Sequence, residues 1–80
     1  MIITTFGKRV KELRISKNLS QEKLGHRVEL SFNQIGRIER GEINTSISTQ
    51  YSISVALEIS FAELMNFDIP GHLQELKSKA

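Results

Sequence analysis

Apolar residues in this chain recur at helical rather than strand spacing. Phe6, Val10 and Leu13 fall at i, i+4, i+7, with Lys17 next on the same stripe. That spacing predicts a first helix from Thr5 to Lys17, ended by Asn18 and Leu19. Ser20 is a good N-cap for a second helix reaching about Arg27, with Leu24 and Val28 turned inward. Ser31 caps a third helix from Phe32 to Glu39, with Ile35 and Ile38 inward, and Gly41 is placed as its stop. A fourth helix is predicted from Ser46 to Glu58, its apolar face formed by Ile47, Ile53, Ala56 and Leu57. Ser60-Phe61-Ala62-Glu63 reads as a capping box opening a short fifth helix with Leu64. Pro70 and Gly71 break the chain. The tail, residues 70–80, either adds a turn through Leu73 and Leu76 or frays. No segment alternates with period two, so the expected fold is all-α: a compact bundle of five short helices in a single domain spanning residues 1–80.

Length and composition narrow the class. A chain of 80 residues buries a modest fraction of its surface and needs an efficient core or a partner subunit. It has no Cys, which removes disulfides and thiolate metal sites. The start, MIITTFGKRV, meets charge too early for a signal peptide. No apolar run approaches the ~20 residues needed to span a bilayer. A soluble, cytoplasmic protein is expected. Residues 1–42 carry nine Lys and Arg against five Glu, a net of +4; residues 43–80 carry −2. A basic front and an acidic back suit a nucleic-acid face opposite a protein-contact face, although ordinary solvated surface also accounts for that asymmetry.

The segment from Gln21 to Arg40, QEKLGHRVELSFNQIGRIER, meets the demands of a helix-turn-helix one by one. Two helices that cross closely need a small residue where they touch, and Gly25 stands there. Leu24, Val28, Leu30, Ile35 and Ile38 supply the inward apolar set. No Pro interrupts either helix. The outward positions of the second helix carry Ser31, Asn33, Gln34 and Arg37, groups able to read base edges. Arg37 can donate two bonds to the O6/N7 edge of guanine, and Asn33 or Gln34 can pair with the N6/N7 edge of adenine. Phe32 can pack on a thymine methyl or on its own domain.

These residues resemble the Cro/repressor-type helix-turn-helix family, also called the XRE family. "LSQEKLGHRV", "IGRIERGE" and "ISVALEISFAEL" follow its pattern in order and at its spacing, from about Phe6 to Leu64. The resemblance implies a lambda-repressor-like domain that binds double-stranded DNA. It implies that Gln21 grips a phosphate and can brace the recognition helix. Ser31, Phe32, Asn33, Gln34 and Arg37 fall where the family meets bases or nearby backbone; Arg40 and Asn44 fall where it touches phosphates. Arg14 and Glu39 fall where many members form a partly buried ion pair, so Arg14 is not counted as a DNA ligand. Glu29 stands where the family often has Gly in a left-handed turn, and Thr45 where it often has Pro. Gln50 stands where Leu is expected, and reads as either half-exposed or destabilising.

One short recognition helix specifies too few base pairs to find a site in a genome. A homodimer is expected, through residues of about 50–69: Tyr51, Val55, Ile59, Phe61, Met65, Phe67 and Ile69 exceed what one small core hides. Within the family, a stand-alone domain of this length looks like the controller proteins of restriction-modification systems, homodimeric activators and repressors for which RNA polymerase is a further candidate partner. Antitoxin-like or phage-type autorepressors share the architecture, and a protein-interaction module on the same fold is the alternative class. No catalytic constellation is visible, and no cofactor is expected. His26 and His72 lie apart with no ligands around them. Lys8, Arg9 and Lys11 read as solvated charge, one of which could reach a phosphate; Glu22, Glu29 and Glu42 read as solvent-type charges.

Overall fold

The computed structural model describes residues 2–68. Five helices run in order: α1 (Ile2–Ser16), α2 (Gln21–Val28), α3 (Phe32–Glu39), α4 (Ile47–Ala56) and α5 (Phe61–Leu64), with no strand among the described residues. The expected tail helix and Ile69 lie outside the described residues.

Serine writes the start of α2 to α5. Ser20, Ser31, Ser46 and Ser60 sit in extended backbone, and each hydroxyl accepts the N–H three residues on, at 3.0 to 3.2 Å. Each bond satisfies one of the donors a helix leaves orphaned at its beginning. The reciprocal half of a capping box forms at Ser31, whose N–H donates to Gln34 Oε1 at 2.9 Å. At Ser60 the hydroxyl bond is made without it, so the expected box there is half-built.

The ends of α1 to α4 are alike too. Each closes with one residue in left-handed backbone: Asn18, Glu29, Gly41 and Glu58. The following N–H then reaches back to a carbonyl five residues earlier, as in Leu19 to Arg14, Leu30 to Gly25, Glu42 to Arg37 and Ile59 to Ser54. This is the Schellman closure, which returns the chain sharply and makes short connections possible. Glu29 at φ 60° makes the left-handed turn expected of its position without being glycine.

The core is one cluster. Phe6 and Val10 come from α1, Leu24 from α2, Ile35 and Ile38 from α3, Ile53 and Ala56 from α4, then Leu57 and Leu64. α3 packs on both α1 and α2, α2 also packs on α4, and α4 on α5. The recognition helix is therefore held from two sides. α1 begins three residues before the expected Thr5, and the added turn lays Thr4 against Gly41. Ile47, expected inward, is 73% exposed. It opens α4 six residues before the first buried residue, Ile53. Gln50 is half-buried, with its amide donating at 3.4 and 3.3 Å to the carbonyl and hydroxyl of Thr45.

Candidate nucleic-acid interface

The turn between α2 and α3 fixes everything the interface presents. Gly25 lies where the two helices meet: a Cβ there would stand 2.4 Å from the Leu30 carbonyl oxygen. Real atoms do not approach so closely, so any larger residue pushes the turn away. A second contact of the same kind holds the other end of α3. A Cβ on Gly7 of α1 would stand 2.3 Å from Ile38 O and 2.7 Å from Glu39 O. Sequence reasoning did not single out Gly7, because a glycine inside a helical pattern reads as a weak helix former.

Between these contacts α3 divides into two faces. Ile35, Gly36, Ile38 and Glu39 are buried. Ser31, Phe32, Asn33, Gln34, Arg37 and Arg40 are all exposed, Phe32 at 54%. Asn33, Arg37 and Arg40 follow i, i+4, i+7 spacing and so form one outward row. Asn44 is exposed in the loop that follows. Ser31 and Gln34 are partly committed to capping, which leaves the Gln34 amide NH2 to donate outward.

Beneath the row lies a polar buttress. Arg14 donates to Glu39 from Nε at 2.6 Å and from Nη2 at 3.1 Å, a two-pronged pair with both side chains buried. Its Nη1 donates to the Leu19 carbonyl at 2.8 Å, tying the end of α1 into the same network. Gln21 completes it, donating from Nε2 to Glu39 Oε1 at 3.1 Å. The structure thus braces Gln21 against α3 through a buried carboxylate. Gly36 leaves room for this: a Cβ there would lie 3.5 Å from Gln21 Nε2 and 3.0 Å from Arg40 Nη1. Gln21 and Arg40 converge over that bare patch of helix.

Glu42 departs from the solvent-type reading. Held by its backbone bond to Arg37, it sets one carboxylate oxygen 3.7 Å from Arg37 Nε and hydrogen-bonds the other to Arg40 Nε. The hydrogen bond from Arg40 holds the Glu42 carboxyl below its usual range, and the same bond raises the Arg40 guanidinium. Other basic residues serve the frame. Arg9 donates to Glu63 O at 2.8 Å, and Arg27 donates to Ala56 O at 2.9 Å. Both cap carbonyls near helix ends, where a cation is favoured.

The residues expected at a dimer contact divide. Tyr51 and Val55 stand out from α4, 60% and 58% exposed. Phe61 is half-buried with its ring centroid 6.4 Å from that of Tyr51. Ile59, Met65 and Phe67 are half-buried and pack on their own core, which takes up much of the apolar surface that sequence alone left without a place. No group of side chains suited to a metal ion occurs among the described residues, and no described helix is long and apolar enough to cross a membrane.

Comparison with known proteins places this geometry. Residues 10–64 match the helix-turn-helix family HTH_3. The chain is 38% identical over 73 residues to control protein C.BamHI of Bacillus amyloliquefaciens, covering 90% of each chain. Among solved structures it is similar to the restriction-modification controller protein C.AhdI from Aeromonas hydrophila, with a TM-score of 0.76 and 38% identity, over 79% of this chain and 91% of that one. The clp gene regulator ClgR from C. glutamicum shares the fold, with a TM-score of 0.78 at 22% identity, over 80% of this chain and 82% of that one.

Proposed function

The chain belongs to the HTH_3 helix-turn-helix family of DNA-binding transcription regulators, and from that premise we propose that it is a restriction-modification controller protein acting as a homodimer on a pseudo-palindromic operator. The observation that carries the reading is the outward row of α3, pinned from behind by Gly7, Gly25 and the Arg14–Glu39 pair. Its likeness to two controller proteins at 38% identity supports the subtype.

In this reading Arg37 and Asn33 meet base edges, and Gln34 does so through its free NH2. Phe32 offers an apolar ring to a thymine methyl. Gln21, Arg40, Asn44 and Ser31 meet phosphates, which fix position and add affinity without choosing sequence. Gln21 does this from the N-terminus of α2, where the helix dipole favours an anion. The protein acts by binding, without cofactor or catalysis, in the cytoplasm where its DNA lies. Bound beside a promoter, it would set RNA polymerase within reach.

Specificity requires a second copy. Two recognition helices must sit ~34 Å apart, one turn of DNA, to read successive half-sites. Ile47, Tyr51 and Val55 support a contact through α4, because they are exposed and apolar with no partner from their own core. Phe61 extends that patch through its ring contact with Tyr51, and Ile59, Met65 and Phe67, half-buried against the core, are proposed to add to the contact.

A gel shift with the DNA upstream of the chain's own gene tests the function. Retardation that weakens with salt supports it, and equal affinity for unrelated duplexes overturns it. Arg37→Ala should relax base preference, whereas Gln21→Ala should weaken all sequences alike. Sedimentation tests the assembly: Val55→Glu should yield a folded monomer that binds DNA poorly. A wild-type monomer at micromolar concentration with intact DNA binding overturns the dimer.

A further inference from the structure

We propose that Glu42 is a specificity-determining residue, an internal anion beside Nε of both Arg37 and Arg40 that weakens the phosphate contact proposed for Arg40 and disfavours phosphate binding by Arg37. The inference rests on the DNA-reading role proposed for α3.

Three observations converge on it. The first is that the backbone of Glu42 is fixed over the end of α3. Its N–H donates to Arg37 O at 2.9 Å in the closure that ends α3, and the preceding Gly41 supplies the left-handed turn at φ 72°. The second is that one carboxylate serves two guanidiniums, with Oε1 facing Arg37 and Oε2 facing Arg40. The third is which atoms it engages. Its contacts with the two arginines fall on Nε. The hydrogen bond from Arg40 further favours the charged form of the Glu42 carboxyl.

The physical consequence differs between the two kinds of DNA contact. A phosphate is a point of charge, and binding without sequence preference rests on phosphates alone. Near Glu42 each phosphate meets a guanidinium already neutralised, and also meets the like charge of the carboxylate. A guanine edge is neutral and asks for geometry. Arg37 can offer its terminal nitrogens to O6 and N7 while Nε stays beside Glu42. The carboxylate thus suppresses the generic mode and leaves the base-reading mode intact. It also restrains a long side chain that would otherwise lose rotamer freedom on binding.

The test uses Glu42→Gln, which removes the charge at an exposed position and keeps the size. The wild-type protein is first used to enrich a duplex from a random-sequence library. Affinities of both proteins for that duplex and for poly(dI-dC) are then measured across a salt series. The expected result is a severalfold gain for poly(dI-dC), with its salt dependence steeper by about one logarithmic unit per decade, the slope of one added phosphate contact. The enriched duplex should gain less, so the ratio of the two affinities falls. Glu42→Asp, which restores the charge, should recover part of that ratio. Equal gains on both duplexes, or an unchanged salt slope, overturn the role of Glu42. Failure of the wild-type protein to enrich any duplex instead overturns the DNA-reading function on which it stands.

Discussion

Replacing Arg14 by Met isolates what the buried ion pair contributes. The Glu39 side chain is 2% exposed and Arg14 11%, so neither charge has water to fall back on. Arg14→Met keeps much of the stem's packing and removes two bonds to Glu39 and one to Leu19 O. Gln21 remains as the carboxylate's other donor. Removing one partner of a buried pair costs about 3–5 kcal/mol, because the other charge stays buried and uncompensated. A domain of this size is stable by roughly 4–12 kcal/mol in total, so the variant loses a large part of its stability. At about 4–8 °C per kcal/mol the melting temperature should fall by at least ~12 °C. The companion Arg14→Met, Glu39→Met removes both charges and should recover most of the loss, since apolar replacement of a whole buried pair is often neutral. Urea denaturation followed by circular dichroism reads both. A loss below ~1 kcal/mol in the single variant, or a double variant no more stable than the single, refutes the reasoning.

Three further outcomes follow from local geometry. Gly25→Ala gains up to ~1 kcal/mol of helix propensity but drives a methyl group to 2.4 Å from Leu30 O, so a net loss of ~1–2 kcal/mol is expected in denaturation, with weaker DNA binding as α3 shifts. Glu29→Gly relieves a left-handed residue and should raise stability by up to ~1 kcal/mol, measured as an increase in melting temperature. Gln50→Leu exchanges two long hydrogen bonds for apolar contact at a half-buried position, and a rise of a few degrees in the melt is expected; no rise would show that the bonds to Thr45 are worth as much as the burial.

The motif was legible because its signals are local. Serine at the caps and the inward apolar positions place α3 from Phe32 to Glu39 with no knowledge of neighbours. The start of α1 was not, because the apolar stripe that marks that helix, Phe6, Val10 and Leu13, begins only after its first turn. Ile47 is exposed because the stripe through Ile53 and Leu57 does not extend back to the first turn of α4, where no residue is fully buried. Arg9 was read as solvated charge, and Arg27 was given no role, since the carbonyls they cap, Glu63 and Ala56, lie 54 and 29 residues away in the chain. Glu42 was read as solvated for a related reason. Its bonds depend on a turn that brings it back over a helix just ended, and spacing alone does not reveal that.

The two glycine contacts, at Leu30 O and at Ile38 O and Glu39 O, lie at opposite ends of the recognition helix and on its hidden side. They clamp backbone to backbone, so the pose of α3 is set without reference to the side chains that face outward. Asn33, Arg37 and their neighbours can therefore be exchanged one at a time while the rod that carries them stays still. Such a scaffold lets a lineage wander from one operator to another in single steps, and it makes this short helix a natural cassette for rewriting which sequence is read.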